Sequence, residues 1–205
     1  MQSETGYVSG SFPRGRIFRC RAAGVAGIAS GGLFALFWLS AVIVNPEWRF
    51  GVDTLSELGG DVPSRWLFNL GCMTSGVLGV ILSYGLCGKP SQSRAGRLGG
   101  ALLAVASAGL ILVGVFSIER GDAHSAATVF FFTAVAVAAF VILYALITVE
   151  GYRWPTVLTG AVIAVSLASL ALFPIPLAEA VTVICLLCWI SGMGYWLLRS
   201  CPGEK

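Results

Sequence analysis

Charge is scarce in this chain. Thirteen lysines and arginines, ten acids and one histidine are spread over 205 residues, so 11% of the chain is charged and 57% is hydrophobic. Soluble domains carry about a quarter charged residues. So little charge cannot cover a water-facing surface of ordinary size, which excludes a soluble globular class. The single histidine excludes a bis-histidine haem and leaves a multi-histidine zinc centre without ligands. No Gly-x-Gly-x-x-Gly follows a strand and no Walker loop is present. The alternation of a membrane barrel strand is missing too. No interval between apolar runs exceeds about twenty residues, which leaves no room for a further soluble domain.

What the chain has instead is six long apolar runs: Ala22–Val44, Arg65–Leu86, Leu98–Phe116, Ser125–Val149, Thr156–Phe173 and Leu177–Leu198. A helix needs roughly 20 residues to cross a hydrocarbon core about 30 Å thick. Helices also satisfy their own backbone groups in lipid. The fold expected is therefore an all-α bundle of six transmembrane helices. Residues 1–21 form a basic N-terminal segment, 22–198 the membrane domain and 199–205 a tail. Four arginines precede the first run, as in a signal peptide, but the run is over twenty residues long. A cleavable apolar region is usually about 7–15 residues, so a retained helix is expected.

Orientation follows the basic residues. With both termini cytoplasmic, Arg14, Arg16, Arg19, Arg21, Lys89, Arg94, Arg97, Arg153, Arg199 and Lys205 lie inside, and only Arg49, Arg65 and Arg120 lie outside. The acids run the other way: Glu47, Asp53, Glu57, Asp61, Glu119, Asp122 and Glu179 are outside. The net charge of +3 is thus a dipole across the membrane and not a nucleic-acid patch. Trp48 and Trp66 mark the outer boundary, and Tyr152, Trp154, Tyr195 and Trp196 the inner one.

Gly27-x-x-x-Gly31, and the four-residue spacing of Gly71, Ser75 and Gly79, predict close helix packing inside one bundle. Cys185-x-x-Cys188 has no accompanying histidine or second pair and is read as buried apolar filling. Cys20, Cys87 and Cys201 fall at cytoplasmic helix ends, where reduced thiols are expected. No span carries a mid-membrane charge, which disfavours an ion-coupled transporter. A narrow path would have to use hydroxyls such as Thr74, Ser75, Ser107, Thr133 and Ser166.

Acid is concentrated in DTLSELGGD, residues 53–61. One explanation is structural. Thr54 and Glu57 fit a capping box, Gly59 and Gly60 can end a short helix in a left-handed turn, and Asp61 with Pro63 can begin the next span. The other is functional. Asp53 and Glu57 on one helical turn repel each other, and a metal, a ligand amine or an arginine would relieve them. The same face receives SIERGDAHS, residues 117–125, with Glu119, Arg120, Asp122 and the lone His124. Asn69 lies about two turns into the second span and needs hydrogen-bond partners if buried. His124 is read as a general base, Glu57 and Asp122 as orienting or metal-binding acids, and Arg120 as an anion contact. Asp53, Ser56, Asn69 and Glu119 complete the ligand-binding set.

The segments TLSELGG, WLFNLG and GVFSIERGDAHSAATVFFF carry a resemblance. Over roughly residues 22–198 the chain resembles the six-helix membrane family known as domain of unknown function 998, found mainly in archaea and bacteria. The resemblance implies a prokaryotic cell-membrane protein and marks Ser56, Glu57, Leu58, Gly59, Asn69 and His124. Family members often show a proline where this chain has Ser117. The family name implies no reaction.

The function expected is binding or modification of a lipid headgroup or lipid-linked substrate at a polar, acidic pocket on the outer face. Membrane lipids are its expected partners. The sequence identifies neither a cofactor nor a metal and leaves open whether the protein is an enzyme. The alternative is a non-catalytic accessory subunit that docks protein partners in the membrane.

Overall fold

The computed structural model describes residues 14–87, 93–148 and 151–201, with side chains from Arg19 onward. Lys89, Lys205, Val149 and the outer parts of both expected terminal segments lie outside the described residues. Six helices form: α1 (Arg14–Val44), α2 (Arg65–Leu86), α3 (Arg94–Val115), α4 (Asp122–Ile147), α5 (Arg153–Leu172) and α6 (Ile175–Ser200). Each is long and apolar enough to cross a membrane. All but α2 begin two to eight residues before the apolar stretch, because hydropathy registers side chains, while backbone bonding continues into polar ends. Pro155 sits in the first turn of α5, where a missing N–H costs nothing.

The helices close a ring in chain order. α1 packs on α2 and α6, and α3 fits tightly between α2 and α4. The seam between α4 and α5 is the weakest, with α5 resting mainly on α6. One face of the ring carries the start of α1 and the end of α6. The opposite face carries two short 3-10 turns, Leu55–Gly59 before α2 and Ile118–Arg120 before α4.

Small residues set the tight seams. A Cβ on Gly194 would lie 2.6 Å from the Gly24 carbonyl oxygen and 2.8 Å from the Ile28 nitrogen, so α1 and α6 touch backbone to backbone. Gly27 and Gly31 face the same helix, meeting Ile190 O and Leu187 O. On α2, Gly71 faces Phe37 of α1 and Gly79 faces Ser107 of α3, while Ser75 and Ser30 exchange hydroxyl bonds to each other's carbonyls at 3.2 Å. The glycine spacing thus serves packing within the bundle.

Aromatic residues gather near the ends. Tyr152 meets Trp196 edge-on at 5.0 Å, and Trp154 meets Tyr195 at 6.3 Å. Trp66 is exposed, with the Arg65 guanidinium 5.5 Å from its ring centre. Trp48 is different: it is buried, packs edge-on to Trp38, and donates from Nε1 to Thr54 O at 2.8 Å. It anchors a loop rather than marking a boundary.

The expectation of reduced thiols is corrected at two positions. Cys20 and Cys201 form a disulfide that ties the start of α1 to the end of α6. The two ends are neighbours because α1 and α6 pack together along their length. Cys87 is free, and burial pushes its thiol pKa up.

Gly194→Leu should therefore destabilise the bundle, since overpacking against rigid backbone costs about 1–3 kcal/mol or more. Gly32→Leu should be tolerated, because a Cβ there meets nothing within 4 Å. Thermal melts of both variants in detergent check the contrast; equal melting temperatures would contradict the backbone contact.

Candidate functional site

The segment 53–61 folds as a capped turn. Thr54 precedes the first 3-10 turn, and Glu57 Oε1 accepts from both the Thr54 N–H at 3.3 Å and its hydroxyl at 3.0 Å. Glu57 N–H donates back to Thr54 O at 3.3 Å. Asp53 accepts from the Arg49 N–H at 2.7 Å, with the Arg49 Nε 3.5 Å away. Asp61 pairs with Arg65 at 3.7 Å. The mutual repulsion expected of Asp53 and Glu57 is thus relieved by local donors.

Gly59 and Gly60 do not adopt the left-handed turn expected of them; positive φ occurs only at Gly51, Gly121 and Gly151 among the described residues. Gly59 serves close approach instead. A Cβ there would collide with Asn69 Oδ1 and the Phe68 ring. The buried Asn69 Nδ2 donates to Gly59 O at 3.0 Å, and Ser64 Oγ donates to Leu58 O at 2.8 Å. These bonds clamp the turn onto the start of α2.

The two loops of this face meet. Glu119 Oε1 accepts from the Asp61 N–H at 3.1 Å, and Gly60 packs against Ile118. Gly121, at φ 54°, then turns the chain into α4. His124 follows one turn later and is buried. Its Nδ1 lies 2.6 Å from Phe116 O, a group that only accepts, so Nδ1 carries a proton. In the neutral ring Nε2 then accepts from the Thr128 hydroxyl at 3.3 Å. Arg120 and Asp122 are exposed on the same face.

Where α4 and α5 part, a cavity of about 630 Å³ opens between α4, α5 and α6. At the loop face its wall is polar: Thr54, Ser56, His124, Thr128 and Glu179. Deeper, it is mostly apolar, from Phe132 and Ala136 to Phe140, Val162 and Leu186, with the hydroxyls of Thr133, Ser166 and Thr182 interspersed. From His124 to Phe140 the α4 wall runs 16 residues (140 − 124). At about 1.5 Å per residue that is roughly 24 Å, against a hydrocarbon core about 30 Å thick.

Glu179 escapes the sequence-based site set, yet it joins the loop to this cavity. It reaches from the second turn of α6, and its Oε2 accepts the Leu55 N–H at 3.1 Å. The available signal was its place: it is the one acid inside the sixth apolar run. Of the site residues read from sequence, Ser56 and His124 line the cavity, as do Thr54 of the capping box and the hydroxyls of Thr133 and Ser166. Asp53, Glu57, Asn69 and Glu119 hold the loops, while Arg120 and Asp122 face solvent. Among the described residues, no group of three or more His, Cys, Asp or Glu side chains could hold a metal ion.

A second cavity of about 70 Å³ lies in the core beside Ser30, Ser75 and Ser107, whose hydroxyls all bond main-chain carbonyls. Asn69→Leu should cost about 1–3 kcal/mol, because it strands the buried Gly59 carbonyl. Glu57→Gln should cost less, since an amide oxygen still accepts the Thr54 bonds. Detergent melts of the two variants check this order, and the reverse order would contradict the clamp.

No curated protein and no solved structure matches the chain. The family model described as protein of unknown function (DUF998) matches residues 28–196, more than half of the chain, and the chain belongs to that family.

Proposed function

We propose that this multi-pass membrane protein binds a long-chain amphiphile, a lipid or lipid-linked substrate, in the cavity between α4, α5 and α6. The tail lies along the apolar wall and the head rests at the polar end. One observation carries the reading: a single cavity joins a long apolar trough at the weakest helix seam to a cluster of polar groups at one membrane face. Ligand sites are mostly apolar concavities with a few placed polar groups. Ser56, Thr128, His124 and Glu179 contact the head. Glu57, Asp53, Asn69 and Glu119 position the loops that cover it, and Arg120 and Asp122 flank the approach from water. The His124 Nε2 lone pair suits a general base, should the bound molecule also be modified.

We place the protein in a prokaryotic cell membrane with both termini in the cytoplasm, on the ten-to-three bias of basic residues. The Cys20–Cys201 bond lies on that same face and favours an oxidising side; the charge bias is given the greater weight, because it sums many residues.

Native mass spectrometry of the protein from mild detergent should show one bound amphiphile per chain. Ala136→Trp, which fills the trough, should lower that occupancy about tenfold, equivalent to about 1.4 kcal/mol. Val137→Trp, one residue along and outside the cavity lining, should not. Equal lipid retention in both variants would sink the reading. For orientation, Arg120→Cys in a background with the four free cysteines replaced by serine should react with an impermeant maleimide on intact cells. Labelling only after lysis would reverse the topology.

A further inference from the structure

The lining of the cavity also selects a head group. Among the described residues, Glu179 is the only formally charged one in its wall, and no lysine or arginine lines it. The arginines of this face are paired or stand outside the lining. Arg49 pairs with Asp53 and Arg65 with Asp61, and Arg120 is exposed and outside the lining. One carboxylate oxygen of Glu179 takes the Leu55 N–H. No cation pairs with this carboxylate among the described residues. A lone carboxylate against an apolar cavity is costly until a cation or strong donor meets it. The neighbouring polar groups can accept: the Nε2 of buried His124, aligned by the Phe116 carbonyl, takes the Thr128 hydroxyl, a rotor that can turn to free the lone pair, and the hydroxyl oxygens of Ser56 and Thr128 accept as well as donate.

We propose that the amphiphile this cavity binds carries a protonated amine at its head, held by Glu179 and His124, and not a phosphate. The proposal rests on the amphiphile-binding reading above and names the ligand class for that site. An ammonium brings three donors and no acceptor, which matches a carboxylate, an imidazole lone pair and two hydroxyls. A phosphate brings acceptors and negative charge to the same place. It would meet Glu179 without a compensating cation, and like charges repel strongly where the dielectric is low.

The test uses three probes of equal chain length offered together: dodecylamine, dodecanol and dodecyl phosphate. Native mass spectrometry of the full chain resolves their occupancies by mass. The amine should exceed both others by about tenfold or more, the scale of a hydrogen bond to a charged group. Glu179→Gln should bring the amine down to the alcohol's level and leave the alcohol unchanged, since the amide oxygen still accepts the Leu55 bond. Ala136→Trp should lower all three about tenfold. The unmodified protein decides the matter by itself if Glu179→Gln does not fold. Phosphate ahead of amine, or a preference indifferent to Glu179→Gln, would overturn the head-group proposal. Equal binding of all three probes, lowered in Ala136→Trp, would overturn it while leaving the amphiphile-binding reading intact. Binding of none would overturn both.

Discussion

The backbone N–H of Leu55 donates to the Glu179 carboxylate across 124 residues of chain, and the polar end of the cavity is organised around that bond. It draws the 53–61 turn across the top of α6. Ser56, the next residue, is thereby carried into the cavity wall beside the groups of α4. The turn itself is stiff: Asn69 and Ser64 fasten it to α2, Trp48 fastens the strand of loop before it, and Glu119 fastens the loop after it. A rigid lid held at one carboxylate keeps its geometry without a larger loop. That suits a membrane protein whose extramembrane segments are all short.

The cavity exists because packing is uneven. Glycine lets α1 approach α6, and α2 approach α1 and α3, until backbone atoms touch. Dispersion between such surfaces holds helices together in lipid, where no hydrophobic force separates one apolar surface from another. α5 has little of this. Its one glycine, Gly160, has only Leu143 near, at 4.0 Å. On its side toward the opening it presents Val162, Ile163, Leu167 and Leu170, which line the cavity. The close glycine contacts that draw α1, α2, α3 and α6 together are missing at the seam between α4 and α5, and the cavity opens there.

Much of this was legible in the sequence. Six spans and the intramolecular role of the glycine stripes follow from run length and spacing, which are local properties. The capping box at Thr54 and Glu57 was legible too, because both partners lie within one turn. What could not be read is whatever depends on pairs distant in the chain. Glu179 looked like one more acid on the outer face, since nothing nearby in sequence reveals that Leu55 would bond it. Gly59 looked like a turn former, and the need for it proved to be the Asn69 side chain, ten residues away. Cys20 and Cys201 were expected as separate thiols because their helices' adjacency is invisible before α1 and α6 are packed.

The acids of the loop face divide into two kinds, and the division explains why composition alone pointed there without identifying the site. Asp53, Glu57 and Asp61 each find a partner within four residues. Local bonding of that sort is available to any loop at a helix start. Glu119 spends its charge on a backbone amide of the neighbouring loop. Glu179 alone both reaches across the fold and faces the trough. An acid placed inside an apolar helix gains little from a single amide and loses much of its hydration. Its presence in the wall is therefore an electrostatic demand directed into the cavity, and a cationic head arriving on an apolar tail is the kind of molecule that answers it.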